Sequence, residues 1–117
     1  MGPLVSLAMI VRDEEENIKA ALESCRYFVD EMIVLDTGSI DDTPSIASEY
    51  GAKVAYTQWN NDFSEARKES ISLCNGKWIL ILDADERLQA EGSVIVQLKT
   101  LLQKECYNDE VLMINII

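Results

Sequence analysis

Apolar positions along this chain follow two different spacings. Short, mostly apolar runs, as expected of strands, fall at 4–11, 31–35, 53–57, 77–82 and 111–117, the first of them almost continuously apolar. Between them, apolar residues recur at helical intervals. The first such set is Ile18, Ala21, Leu22 and Cys25, and the second is Ile46, Ala47 and Tyr50. The third is Phe63, Ala66, Ser70, Leu73 and Cys74, and the last is Val94, Ile95, Leu98, Leu101 and Leu102. Local signals support the boundaries. Arg12-Asp13-Glu14-Glu15-Glu16 loads acid where the first helix should start, and the helix dipole favours acid there. Thr43 followed by Pro44 predicts an N-cap, and Gly51 a C-cap. Asp62 and Glu65 have the spacing of a capping box, for a helix that could run to Asn75-Gly76. Strands and helices therefore alternate from end to end. That order predicts a Rossmann-like, three-layer α/β/α fold around a mostly parallel sheet.

With 117 residues the chain fits one domain spanning 1–117, large enough to bury a core. It stops inside the apolar run Val111 to Ile117, so truncation at the C-terminus is expected. A homo-oligomer that covers the cut edge is the corresponding expectation. The longest apolar runs, such as Trp78 to Leu82, are far too short to span a bilayer, and no export signal precedes the first strand. Cys25, Cys74 and Cys106 lack CxxC spacing and read as reduced structural thiols. A cytoplasmic location, at most peripheral to a membrane, is expected. The formal net charge of −11 argues against a nucleic-acid partner, which needs a basic face. With no histidine present, His-based triads and His metal sites are excluded within these residues.

What remains for chemistry is carboxylates, a few cations and backbone amides. In an open α/β sheet, ligands bind at the carboxyl ends of the strands. Asp13, Asp36 and the pair Asp83 and Asp85 all fall there. Each alone is equally well explained as a turn or cap residue. Together on one edge they are harder to explain that way. Asp83-Ala84-Asp85 ends an apolar strand, and residues i and i+2 of an extended segment point the same way. Two such carboxylates can share a hard divalent cation with diphosphate oxygens, which a strongly acidic protein would otherwise repel. In Asp36-Thr37-Gly38-Ser39, Gly38 permits a sharp turn that leaves Asp36 as an acceptor at the strand tip. Neither GxGxxG nor GxxxxGK[ST] is present, so dinucleotide and P-loop readings fail. Trp59 and Trp78 read as core or edge packing.

The segments SLAMIVRDEE (Ser6 to Glu15), IVLDTGSIDDT (Ile33 to Thr43) and Phe63 to Leu88, with SEARK and NGKWILILDADERL, resemble family 2 glycosyltransferases of the GT-A fold. The resemblance covers residues 4 to 90, with the segments in order. It is nearest to a cytoplasmic bacterial branch that makes cell-wall, lipopolysaccharide and peptide glycosides. By this resemblance Ile10, Val11, Arg12 and Asp36 would cradle the nucleoside of a nucleoside diphosphate sugar. Asp83 would lie near the ribose, and Asp85, with Asp83, would hold Mn2+ or Mg2+. Arg67 would balance the acidic cluster or form a structural salt bridge. Glu86 reads as a capping or supporting group. The resemblance implies inverting transfer of a hexosyl group to an unknown acceptor, whether saccharide, lipid-linked glycan or peptide. The general base would lie beyond Ile117, so no catalytic residue is assigned and the chain alone is expected to be inactive. Competing readings are a HAD-type phosphohydrolase, a sugar nucleotidyltransferase, and a non-catalytic nucleotide-binding or interaction module.

Overall fold

A computed structural model describes residues 2–88, 97, 99–103 and 112–115. The elements run β1 (Val5–Val11), α1 (Ile18–Cys25), β2 (Glu31–Asp36), α2 (Thr43–Glu49), β3 (Lys53–Tyr56), α3 (Phe63–Ser72), β4 (Trp78–Ile81) and β5 (Leu112–Asn115). The strands form one sheet in the order β3-β2-β1-β4-β5, and every pair is parallel. The α/β architecture expected from the alternating pattern is therefore observed. Of the last helical set, Val94, Ile95 and Leu98 lie outside the described residues, as do Cys106 and the ends of the 111–117 run.

The almost continuously apolar run of β1 has the burial it predicts. Val5, Leu7 and Met9 are fully buried and share a cluster with Ile18, Ala21, Leu22 and Cys25 of α1 and Ala47 of α2. Each large side chain removed from water in this way contributes about 1.5–3 kcal/mol. α3 returns the chain across β1 and β2, burying Ala66 and Ser70. Leu73 and Phe63 do not complete that buried face. They are 39% and 51% exposed, Leu73 being the C-cap just past α3 and Phe63 its first residue. Leu101, grouped above with the inward residues of the last helix, is likewise 53% exposed, whereas Leu102 is buried.

The helix starts differ from the local reading. α1 begins at Ile18 with Asn17 as an unbonded cap, and there is no acid in its first turn. The acidic segment lies before the helix and reaches across to the β2–α2 loop. The amides of Asp13, Glu14 and Glu15 donate to Ser39 Oγ, Thr43 Oγ1 and Asp41 Oδ2 at 2.9, 2.8 and 3.2 Å. In return, the amides of Ile40 and Asp42 donate to the carboxylates of Asp13 and Glu15. Thr43 is thus the first helical residue and a cross-loop acceptor, and Asp42 occupies the cap position without a side-chain bond. For α3 the capping expectation holds in half. Asp62 accepts from the Glu65 amide, but the Glu65 carboxylate turns to Asn60.

At the amino end of the sheet, Glu31 ties three segments together. It accepts from the Asn75 amide and side chain (2.8 Å each), from Ser6 Oγ (2.7 Å) and from Lys53 Nζ (3.2 Å). Burial pushes its carboxyl up, but the Asn75, Ser6 and Lys53 bonds outweigh burial and hold it at about 2. A carboxyl depressed on folding stabilises the protein above its unfolded value, and that stability is lost as pH falls through the folded value. The contribution should therefore be complete above pH 4.5 and decline toward pH 2. Glu31→Gln is expected to cost about 2 kcal/mol at pH 7, since bonds to a charged acceptor are lost. The deficit should shrink on acidification, which urea unfolding at pH 7 and pH 3 would measure. A deficit that does not change with pH would contradict the assignment.

Candidate functional site

The sheet has its topological switch point between β1 and β4, because the chain leaves β1 toward β2 and β3 and returns to β4 on the other side. The β1–β2 ladder runs to Val11 opposite Asp36, while the β1–β4 ladder ends at Ala8 opposite Ile81. The last residues of β1 thus border an opening at the carboxyl edge, where such folds take ligands.

Asp36 ends β2 and is 1% exposed. Its Oδ1 accepts from the amides of Gly38 and Ser39, both at 2.8 Å, across a turn in which Gly38 has φ +126°. Its Oδ2 is buried without a hydrogen-bond partner among the described residues. A buried carboxylate oxygen left unpaired carries a desolvation cost of about 1–3 kcal/mol or more, which a hydrogen-bond donor would remove.

Ile10, Val11 and Arg12 line a cavity of about 300 Å3 with Thr37, Trp59 and Phe63. Sequence reasoning missed two of these residues. The pattern reads Trp59 as core or edge packing and Phe63 as core, yet both line this cavity. The available signal was Phe63 at the very start of α3, one residue past a capping Asp62. Trp78, by contrast, does pack as expected, its indole N–H donating to Leu102 O at 3.1 Å.

Asp83 and Asp85 are exposed just beyond β4, with Ala84 buried between them. Burial and then the Glu86 carboxylate push Asp83 above the usual carboxylate range; Arg67 pulls it back, and Asp85 adds to the rise. Glu14 is raised in turn, first by burial and then by Asp85, Asp83 and Asp41, against Arg87. The negative charge at this edge is thus only partly compensated. Arg67 stands between the two halves of the site, in the field of Asp83 and with its guanidinium 5.2 Å from the Phe63 ring centroid. Glu86 accepts from the Asp83 amide at 2.8 Å, while its own amide donates to Asp83 O. Its carboxylate therefore supports the turn.

Among the described residues, no cluster of three or more His, Cys, Asp or Glu side chains could hold a metal ion. The donor set at Asp83 and Asp85 nevertheless suits a hard cation. It consists of oxygen ligands only, under mutual repulsion, with coordination positions left for phosphate oxygens and water. Among the described residues, no helix is long and apolar enough to cross a membrane.

Residues 6–108 match the family described as Glycosyl transferase family 2. The chain belongs to that family. Membership in glycosyl transferase family 2 displaces the phosphohydrolase and nucleotidyltransferase alternatives. A TPR repeat-containing protein of Synechococcus elongatus is 57% identical over 88 residues, covering 75% of this chain and 22% of that protein. The SPbeta prophage-derived glycosyltransferase SunS of Bacillus subtilis is 36% identical over 92 residues, 77% of this chain and 22% of SunS. Glucosyl-3-phosphoglycerate synthase from Mycobacterium tuberculosis, solved with Mn2+ and UDP-glucose, superposes with a TM-score of 0.68 at 28% identity. That match covers 89% of this family 2 chain and 41% of the synthase. The chain thus spans less than half the length of each of these relatives, and about a fifth of the first two.

Proposed function

We propose that this chain is the donor-binding part of a glycosyltransferase. In this reading it takes a nucleoside diphosphate sugar together with a divalent cation, and the whole protein transfers the sugar with inversion to an acceptor hydroxyl. The observation that carries the reading is the unpaired, buried Asp36 Oδ2 on the same sheet edge as the Asp83 and Asp85 carboxylates. Asp36 accepts an N–H of the nucleoside. Ile10, Val11 and Arg12 form the floor beneath it, and Arg67 offsets part of the carboxylate charge. Mn2+ or Mg2+, held by Asp85 and Asp83, would stabilise negative charge on the departing diphosphate. UDP-glucose bound with Mn2+ in the Mycobacterium synthase supports this choice of donor and metal. The general base that deprotonates the acceptor is assigned outside these residues, since Glu86 is committed to the Asp83 amide. The acceptor is a saccharide, a lipid-linked glycan or a peptide.

Calorimetry with UDP and Mn2+ tests the nucleoside half directly. Asp36→Asn can keep one oxygen for the Gly38 and Ser39 amides but presents an N–H where Oδ2 stood. A donor facing a donor should weaken UDP binding about tenfold to a hundredfold, with or without metal. Unchanged affinity would remove Asp36 from the site. Release of nucleoside diphosphate from UDP-glucose by the whole protein separates an enzyme from a binding module.

A further inference from the structure

Within that donor site, and resting on the donor-site reading above, one element has the properties of a preformed clamp. The segment between β3 and α3 leaves the sheet at Thr57, whose amide donates to Asp36 O at 2.9 Å. It is therefore tethered to the residue with the unpaired oxygen. Two residues later Trp59 presents its ring to the cavity lined by Ile10, Val11, Arg12, Thr37 and Phe63. The ring is held from several directions. Its Nε1–H donates to Asn61 Oδ1 at 3.0 Å, and its ring packs in a T-shaped contact with Phe63 at a centroid distance of 6.4 Å and an angle of 71°. Asn61 holds φ +64°, a left-handed conformation that Asn tolerates better than most residues. Asn60 fixes the turn on both sides, accepting from the Asp62 amide and donating to Glu65 Oε2. Arg67 covers the Phe63 ring from α3.

These bonds order an aromatic pair that has little of the core to gain. Phe63 is 51% exposed and Trp59 is only half-buried. Two large apolar rings fixed in partial contact with water, beside a buried acceptor lacking a donor, call for one occupant. It must have a flat π face and at least one N–H. A nucleobase has both. The cavity of about 300 Å3 has room for a heterocyclic ring but falls at the small end of the range for whole ligands.

We propose that Trp59, fixed by Asn61 and backed by Phe63, is the wall on which the donor's nucleobase stacks, so that it sets affinity for the base and not for the diphosphate. Stacking of a base on an aromatic side chain accounts for about five- to a hundredfold in affinity.

The test is calorimetry of UDP, uridine and inorganic pyrophosphate, each with Mn2+, on the 117-residue chain and its Trp59→Ala and Trp59→Phe variants, with Asp36→Asn alongside. Trp59→Ala is expected to weaken UDP and uridine by about five- to a hundredfold and to leave pyrophosphate within twofold. Trp59→Phe should recover most of the loss, because it keeps a stacking face. Near-unity ratios for UDP in Trp59→Ala, with Asp36→Asn still impaired, would overturn this inference and leave the donor-site reading standing. Equal losses for all probes, unrelieved in Trp59→Phe, would also overturn it, since they would report a disturbed fold. Failure of the unsubstituted chain to bind UDP would overturn the donor-site reading and this inference with it.

Discussion

Asp85→Asn is expected to weaken UDP binding in Mn2+ and to strengthen it in EDTA. With metal present, the variant should bind UDP about a hundredfold more weakly than the unsubstituted chain, or about 2.7 kcal/mol. Of the three carboxylates that follow β4, Glu86 accepts from the Asp83 amide, so losing Asp85 leaves Asp83 as the remaining ligand for a cation that prefers several oxygens. In EDTA the order should invert. The net charge of −11, and the Asp83 and Glu14 carboxyls raised first by burial and then by neighbouring carboxylates, describe an edge that repels a diphosphate. Removing one charge there should improve metal-free binding by a few-fold, with a larger gain at low salt. Calorimetry with Mn2+ and then with EDTA reads both arms. A variant that binds better in both conditions would show that Asp85 supplies charge alone. A variant weakened equally in both would show that it contacts the nucleotide directly.

Much of this site could be located from the sequence because a parallel sheet is buried on both faces. Runs such as Met32 to Leu35 and Trp78 to Leu82 have no amphipathic alternation, and each ends directly on an aspartate. The position of Asp36 and of Asp83 and Asp85 at the carboxyl edge followed from that alone. What local pattern could not show were partners far along the chain. Acid before α1 looked like dipole compensation, yet the amides of Asp13, Glu14 and Glu15 bond to side chains 26 to 29 residues away. Thr43 looked like a cap, but its hydroxyl accepts from Glu14. Periodicity also counted Phe63 as core because it is apolar and in phase with Ala66 and Ser70. Phase says which way a side chain faces, not whether anything lies beneath it. At the first residue of α3 the open site lies beneath it.

The amino end of the sheet was harder still to anticipate, and it governs how β4 is delivered. In the sequence, Asn75-Gly76 reads only as a helix stop. In the structure the Gly76 amide donates to Ser6 Oγ at 2.8 Å, and Ser6 in turn donates to Glu31. A Cβ on Gly76 would lie 2.6 Å from Ser6 Oγ, 2.7 Å from Ser6 N and 3.0 Å from Trp78 O. Two of these neighbours are backbone, within or beside the β1–β4 ladder that starts at Val5 opposite Trp78. Gly76→Ala is therefore expected to cost about 3–4 kcal/mol, combining overpacking of up to about 3 with a hydrogen bond worth about 1. For a domain of this size that lowers Tm by at least about 10 °C. Ser6→Ala in the same chain should not restore it, because the Ser6 amide stays in the way after the hydroxyl is gone. Thermal unfolding of the single and double variants decides the point. Rescue by Ser6→Ala would mean that the hydroxyl alone sets the glycine requirement. Where Gly76→Ala still folds, its UDP affinity with Mn2+ should fall as well. Displacing the start of β4 shifts Asp83 and Asp85 relative to Asp36, and a ligand that must reach both ends of the site senses that spacing.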